Sequence, residues 1–148
     1  MIFKGIDNQI VEISIRGYEF PNSDDKEYDG NWLIIYLRVE SKLGNWQTIY
    51  PCLLTWEIKS LIDWLKKISE NEENIEKEME FIEPNISFHL LNNFNDFAKV
   101  IRINFDLEFR PSSNKYSSYF VDLLMNSKEL LKISKELEIE LEKFPERK

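Results

Sequence analysis

The chain has 148 residues, and its 27 acidic against 19 basic side chains give a net charge of −8 at pH 7. This length predicts one domain, residues 1–148, that can bury a sizeable core. The acidic balance disfavours direct binding of nucleic acid, which requires clustered Lys and Arg, and disfavours anionic membranes.

The amino terminus and the single cysteine indicate the cellular compartment of the protein. The segment MIFKGIDNQI has no basic region followed by a long apolar run, and no apolar stretch approaches the length of a membrane span. Cys52 is the only cysteine, so an internal disulfide cannot form. We therefore expect a cytoplasmic protein without signal peptide or membrane span.

The first half of the chain predicts three strands and a helix. Apolar and polar residues alternate over 9–20, while 32–40 is apolar on both faces and is predicted to be a central strand. A glycine-containing turn leads to a third strand over 46–54, in which Pro51 must lie at an edge, a bulge or a strand end. Thr55 is then predicted to cap a helix that ends near Ser69, because apolar residues recur from Ile58 at helical spacing.

The second half predicts more strands and a last helix. After a polar loop over 70–78, the expected strands are 78–83, 86–91, 99–110 and 119–125. The strand over 99–110 should place one apolar face inward, formed by Ile101, Ile103, Phe105, Leu107 and Phe109. Asn126 and Glu129 have the spacing of a capping box before a helix that runs to about Lys143.

The order of strands, helix, strands, helix predicts an α+β fold. We expect a mostly antiparallel β-sheet with two amphipathic helices packed on it. The chain shows no internal repeat, no linker and no low-complexity tract, which agrees with one domain.

Motifs for chemistry are missing from the sequence. His89 and Cys52 are the only residues of their types and lie 37 positions apart, so they give no transition-metal signal, and the acidic run after Ser23 lacks the spacing of a calcium loop. The sequence contains no nucleophile or phosphate-binding motif. We expect no enzyme, no metal and no cofactor. The alternative is a small α+β ligand-binding or enzymatic domain with a pocket near His89, in which Cys52 and a carboxylate would take part.

The negative charge is concentrated in two segments. Residues 24–29 hold four acidic side chains against Lys26, a net charge of −3, and residues 70–83 hold seven glutamates against Lys77, a net charge of −6. The rest of the chain is therefore nearly neutral. Such clusters are typical of ordinary solvated loops or of surfaces complementary to a basic protein, which speed association and select partners.

Four segments, read in order, resemble a known family. These segments are GYEFPNSDDKEYDGNWLIIYLRVE, PCLLTWEIKSLIDWL, EFIEPNISFHLL and INFDLEFRP. Together they resemble the WapI-type bacterial immunity proteins over about residues 1–145. None of these segments is a catalytic signature.

The resemblance implies a cytoplasmic antidote against contact-dependent inhibition. Its partner would be the toxic C-terminal domain of a cell-wall-associated toxin, a tRNA-cleaving nuclease whose cleft must be basic. An acidic protein could cover that cleft. Charge clustering then selects the candidate partner-binding residues, with an aromatic anchor in the first group: Asp24, Asp25, Glu27, Tyr28, Asp29 and Trp32, and Glu70, Glu72, Glu73 and Glu76. A weaker alternative is an adaptor for a basic host protein. The sequence leaves open whether the tryptophans, Trp32, Trp46, Trp56 and Trp64, belong to the core or to an interface.

Overall fold

A computed structural model describes residues 1–95 and 98–148, and it shows two antiparallel four-stranded sheets and two helices. The predicted α+β class is confirmed. The first sheet has the order β1-β2-β3-β4 and the second β5-β6-β7-β8. The elements are β1 Ile2–Lys4, β2 Ile10–Tyr18, β3 Trp32–Ser41, β4 Gly44–Leu54, α1 Thr55–Ser69, β5 Glu78–Met79, β6 Ile86–Asn95, β7 Ala98–Phe105, β8 Tyr119–Met125 and α2 Ser127–Glu142.

The first sheet follows the predicted alternation. Val11, Ile13 and Ile15 of β2 are buried, and β3 lies between β2 and β4, as its apolar composition predicts. The turn after β3 joins Ser41 to Gly44 across two residues. Pro51 lies on β4, an edge strand, beside a bulge where the register with β3 shifts. Because proline has no N–H, this position leaves no ladder bond unmade.

Helix α1 has the predicted length but a different cap. Its N-cap is Leu54, and Thr55 is the first helical residue. The prediction that Thr55 caps the helix is wrong, because its hydroxyl donates to Asn31 Oδ1 at 3.0 Å. Glu57 closes the first turn instead, with Oε2 accepting the N–H of Leu54 at 2.9 Å.

Two strands of the second sheet are shorter than the sequence predicts. The strand expected over 78–83 is limited to Glu78–Met79, because the chain then turns away and the N–H of Ile82 donates to Glu57 Oε1 at 2.8 Å. The strand expected over 99–110 ends at Phe105. Leu107 has a φ of 47° in a short 3₁₀ helix and is exposed, so its predicted inward position is wrong, while Phe109 is buried.

Helix α2 begins as its capping box predicts. Asn126 Oδ1 accepts the N–H of Glu129 at 2.7 Å, and Glu129 Oε2 accepts the N–H of Asn126 at 3.4 Å. Leu130, Ile133 and Leu137 are buried on one stripe of this helix. Neither α1 nor α2, in the described part of the chain, has the length and apolar character needed to cross a membrane.

One hydrophobic core joins both sheets and both helices. Phe88 of β6 is its centre, with ring centroids 6.1 Å from Phe3 of the first sheet, 6.3 Å from Trp64 of α1 and 6.4 Å from Phe81. Trp46 of β4 packs edge-on against Phe105 and Tyr119 of the second sheet. Both sheets therefore bury one face and leave the other to solvent.

Candidate functional site

The first acidic segment, residues 24–29, is an exposed loop between β2 and β3 with a fixed backbone. Asp25 Oδ1 accepts the N–H of Glu27 at 2.8 Å, and its two carboxylate oxygens also accept the N–H groups of Tyr28 and Asp29. The bond from Glu27 is the main reason why the pKa of Asp25 lies below its usual value. Asp25 therefore shapes the loop, while the carboxylates of Asp24, Glu27 and Asp29 are exposed.

Asn31 connects this loop to two distant parts of the chain. It is fully buried, and its Nδ2 donates to the carbonyls of Lys26 at 2.8 Å, Glu27 at 3.1 Å and Arg147 at 3.0 Å. Its Oδ1 accepts the Thr55 hydroxyl and the N–H of Arg147 at 2.8 Å. One side chain thus links the acidic loop, the start of α1 and the C-terminal residues.

Arg147 closes the other side of the loop. Its guanidinium donates to the carbonyls of Phe20 at 3.2 Å and Pro21 at 3.0 Å, and it lies 3.8 Å from the centre of the Tyr18 ring. These contacts hold the backbone of the loop in place, and the acidic side chains extend from it.

The aromatic candidates of this loop differ in exposure. Tyr28 is exposed, and its ring packs edge-on against Trp56 of α1 at 5.5 Å, whereas Trp32 is half-buried in β3. Of the other tryptophans, Trp64 is buried, and Trp46 and Trp56 are half-buried. Tyr28 is therefore the better-placed aromatic contact of the first group.

The second acidic segment connects α1 to β5. Glu70, Glu72, Glu73 and Glu76 are all exposed. The indole N–H of Trp64 donates to the carbonyl of Glu76 at 2.7 Å, and Asn71 and Asn74 turn the backbone with positive φ angles of 55° and 60°. The buried Lys99 Nζ donates to Asn71 Oδ1 at 2.5 Å and thereby attaches the segment to the second sheet.

Replacing Trp64 with phenylalanine is expected to lower the free energy of unfolding by about 2–3 kcal/mol, because the bond to Glu76 is lost and the smaller ring leaves a void in the core. Amide hydrogen exchange over residues 72–77 should accelerate in the same variant. The matched control is Trp56→Phe, since the Trp56 indole makes no hydrogen bond to the described residues. Unchanged protection over 72–77 would show that the indole does not hold the segment.

The structure does not bring the two acidic segments together. Tyr28 contacts the first turn of α1, whereas Glu70 is the C-cap of the same helix. A helix of 15 residues is about 22 Å long. The two segments therefore lie at opposite ends of α1, and a partner must be large to contact both.

His89 and Cys52 do not form a common site. Cys52 is buried in the core, and burial, followed by the nearby charge of Glu57, raises the pKa of its thiol. His89 alternates with buried neighbours on the outer face of β6, opposite Glu78 and Arg102 on the adjoining strands. Within residues 1–95 and 98–148, no three His, Cys, Asp or Glu residues are grouped so that they could hold a metal ion.

A third acidic group, missed by the sequence, gathers around Tyr50 of β4. The interaction with Glu108, followed by burial and by the charges of Glu83 and Glu19, raises the pKa of the Tyr50 phenol. We call these four residues the Tyr50 patch. They come from four separate segments, so no continuous run of charges in the sequence predicts this group.

The Tyr50 patch lies beside the first acidic loop and the first turn of α1. Burial, and then the charge of Asp29, raises the pKa of Glu19, whose N–H donates to the carbonyl of Trp32 at 2.9 Å. Glu57 lies on its other side, where burial and then Glu83 raise the pKa of its carboxyl against the lowering effect of two backbone N–H donors. The carboxylates here repel one another.

The sequence matches a known protein family. The family described as immunity protein WapI-like matches residues 1–145, nearly the whole chain. No curated protein and no solved structure matches the chain.

Proposed function

This chain belongs to the WapI-like immunity protein family, and we propose that it is a non-enzymatic antidote that binds and occludes a basic toxin domain. The family implies a toxin as the partner. The finer proposal is that this toxin is a tRNA-cleaving nuclease, delivered on contact between cells, and that the antidote acts in the cytoplasm of the producing cell and its siblings.

The observation that carries the proposal is the exposed and concentrated negative charge of a chain in this family. A nuclease domain must bind phosphates, so its cleft carries Lys and Arg. The supported loop over residues 24–29 displays carboxylates that complement such a cleft. Complementary charge accelerates association and selects the partner.

Inhibition by occlusion requires no chemistry from the antidote. The immunity protein would cover the cleft, exclude tRNA and dissociate slowly, without turnover and without a cofactor. Because nucleic acid and an acidic protein would compete for the same cations, bound antidote and bound tRNA would exclude each other.

The test is co-expression in a sensitive host. The C-terminal domain of a candidate toxin, chosen from the genes next to this one, is expressed with and without this protein, and growth and tRNA integrity are followed. The proposal predicts restored growth, intact tRNA and a complex that co-purifies. Unchanged killing without a complex would overturn the proposed function.

Reversing the charges of Asp24 and Glu27, by Asp24→Lys with Glu27→Lys, is expected to slow association with the toxin domain about tenfold or more at low salt. Both side chains are exposed, so thermal unfolding should change little. The matched pair is Glu72→Lys with Glu73→Lys, at the other end of α1. Unaltered association and unaltered salt dependence in the first pair would remove residues 24–29 from the interface.

A further inference from the structure

Strand β4 forms an edge of the first sheet, and the outer side of its backbone is open. The pair Ser41–Gly44 closes the hairpin with β3, and hydrogen-bonded pairs alternate from there along β4. Thr48 therefore bonds to β3, while the N–H and C=O groups of Gln47 and Ile49 point away from it. Both residues are exposed, and outside the ladder neither makes a backbone hydrogen bond to the described part of the chain.

The other sheet edges are protected in the ways that folded proteins use. β1 has 3 residues and β5 has 2, which is too short to pair well with a further strand. β8 is covered at Gly5, where an added Cβ would lie 2.8 Å from Val121 Cγ1 and 3.1 Å from the carbonyl oxygen of Asp122. β4 has 11 residues, and the segment after β7 reaches it through the Trp46 indole on the buried face, which donates to the Phe109 carbonyl. Among the described strands, β4 is the long edge left open.

The composition of β4 also differs from that of a protected edge. Residues 43–56 contain no Asp, Glu, Lys or Arg, the longest such run in a chain of which 31% is charged. Exposed edges commonly carry charges, lysine above all, that prevent pairing with another strand. Ile49, which is 58% exposed, occupies the middle of this edge instead. Its partner Tyr36 and the pair of Pro51 with Ile34 extend an apolar strip on the same face.

We propose that β4 pairs with β4 of a second copy of this chain, as the central contact of a homodimer. The net charge of −8 makes two copies repel each other wherever acidic surfaces meet, so self-association needs an uncharged strip. A basic partner, in contrast, is attracted by carboxylates, and residues 43–56 offer none. The neutral edge therefore fits a neutral strand, and a two-fold dimer uses the same surface on both copies.

An antiparallel pairing about a two-fold axis at Thr48 uses the free groups at the centre of the edge. Gln47 of each copy lies opposite Ile49 of the other, and such pairs exchange both N–H···O bonds. Further out, the N–H of Asn45 reaches the carbonyl of Pro51, and the missing N–H of Pro51 ends the ladder. The first sheets of the two copies, four strands each, become one continuous sheet.

The first test is the mass of the purified protein in solution. Sedimentation equilibrium at increasing concentration should show a species of twice 17.8 kDa. Ile49→Lys places a charge at the centre of the edge, close to its counterpart, and should raise the dissociation constant of the dimer about a hundredfold. The matched control is Ile139→Lys on α2, where the side chain is 59% exposed, and it should change the constant by less than about twofold. Thermal unfolding of both variants should match the parent protein.

Amide hydrogen exchange tests the pairing of the backbone directly. In a single copy the N–H groups of Gln47 and Ile49 face solvent and should exchange quickly, while that of Thr48 is protected by its bond to β3. In the dimer Gln47 and Ile49 should exchange at least about tenfold more slowly, and this protection should rise with protein concentration. Unchanged exchange of both amides in a dimeric sample would place the contact elsewhere on the molecule.

The remaining outcomes are equally decisive. A protein that stays at 17.8 kDa at the highest concentration overturns the inference. A dimer that Ile49→Lys leaves intact, or that Ile139→Lys dissociates equally, overturns the assignment to β4. If the parent protein is monomeric and Ile49→Lys weakens binding of the toxin domain, the edge receives the toxin and the second copy is wrong. The proposed function is independent of these results, because the co-expression experiment tests it.

Discussion

Replacing Asn31 with alanine is expected to lower the free energy of unfolding by about 3 kcal/mol, because a buried amide with five hydrogen bonds is removed and its partners lose them. For a protein of this size the melting temperature should fall by roughly 6–12 °C. Thermal and urea denaturation measure the effect. Amide hydrogen exchange over residues 24–30 should also accelerate, since this loop loses its attachment to α1.

Two further variants define what Asn31 does. Asn31→Asp keeps the acceptor for Thr55 but removes the donors to three carbonyls and buries a charge, so we expect at least the same loss. Asn22→Ala, in the exposed part of the same loop, should leave stability nearly unchanged. Equal stability of the Asn22 and Asn31 variants would show that the buried amide does not support the loop.

Replacing Phe88 with alanine is expected to cost about 3–5 kcal/mol, a large share of the stability of an ordinary domain. The ring contacts Phe3, Trp64 and Phe81, so its removal opens a cavity between both sheets and α1. Urea denaturation at constant pH measures the loss, and the midpoint should fall without a change of slope.

The matched control for this cavity is Phe120→Ala. Phe120 lies on the outer face of β8, half-buried beneath the guanidinium of Arg102 at 3.9 Å. Its truncation removes an exposed contact rather than core packing, so it should cost less than half as much. Similar losses in the two variants would contradict a core centred on Phe88.

The elements that the sequence predicts correctly are those that local interactions decide. The capping box of Asn126 and Glu129 needs three residues and is found as predicted, and α1 keeps its predicted end at Ser69. The errors occur where distant groups intervene. Thr55 is not a cap, because its hydroxyl donates to Asn31, 24 positions away. The strand before Pro84 is short, because the N–H of Ile82 donates to Glu57.

In the candidate site too, features that are local in the chain could be predicted and features that depend on distant groups could not. Charge counting identifies residues 24–29 and 70–76 because each set is continuous in the chain. Charge counting cannot identify the Tyr50 patch, because Glu19, Glu83 and Glu108 meet only after β4 and its neighbouring segments have folded. The structural roles of Asp25 and Asn31 were also hidden, since both depend on which backbone groups face them.

The most direct test of the central claim is a titration of the purified toxin domain with this protein, with tRNA cleavage as the readout. Inhibition by occlusion predicts that activity falls linearly and reaches zero at one equivalent, and that active toxin is recovered when the complex is separated. Complete inactivation by a small fraction of an equivalent would reveal an enzyme. Full cleavage at a large excess of this protein would contradict the account.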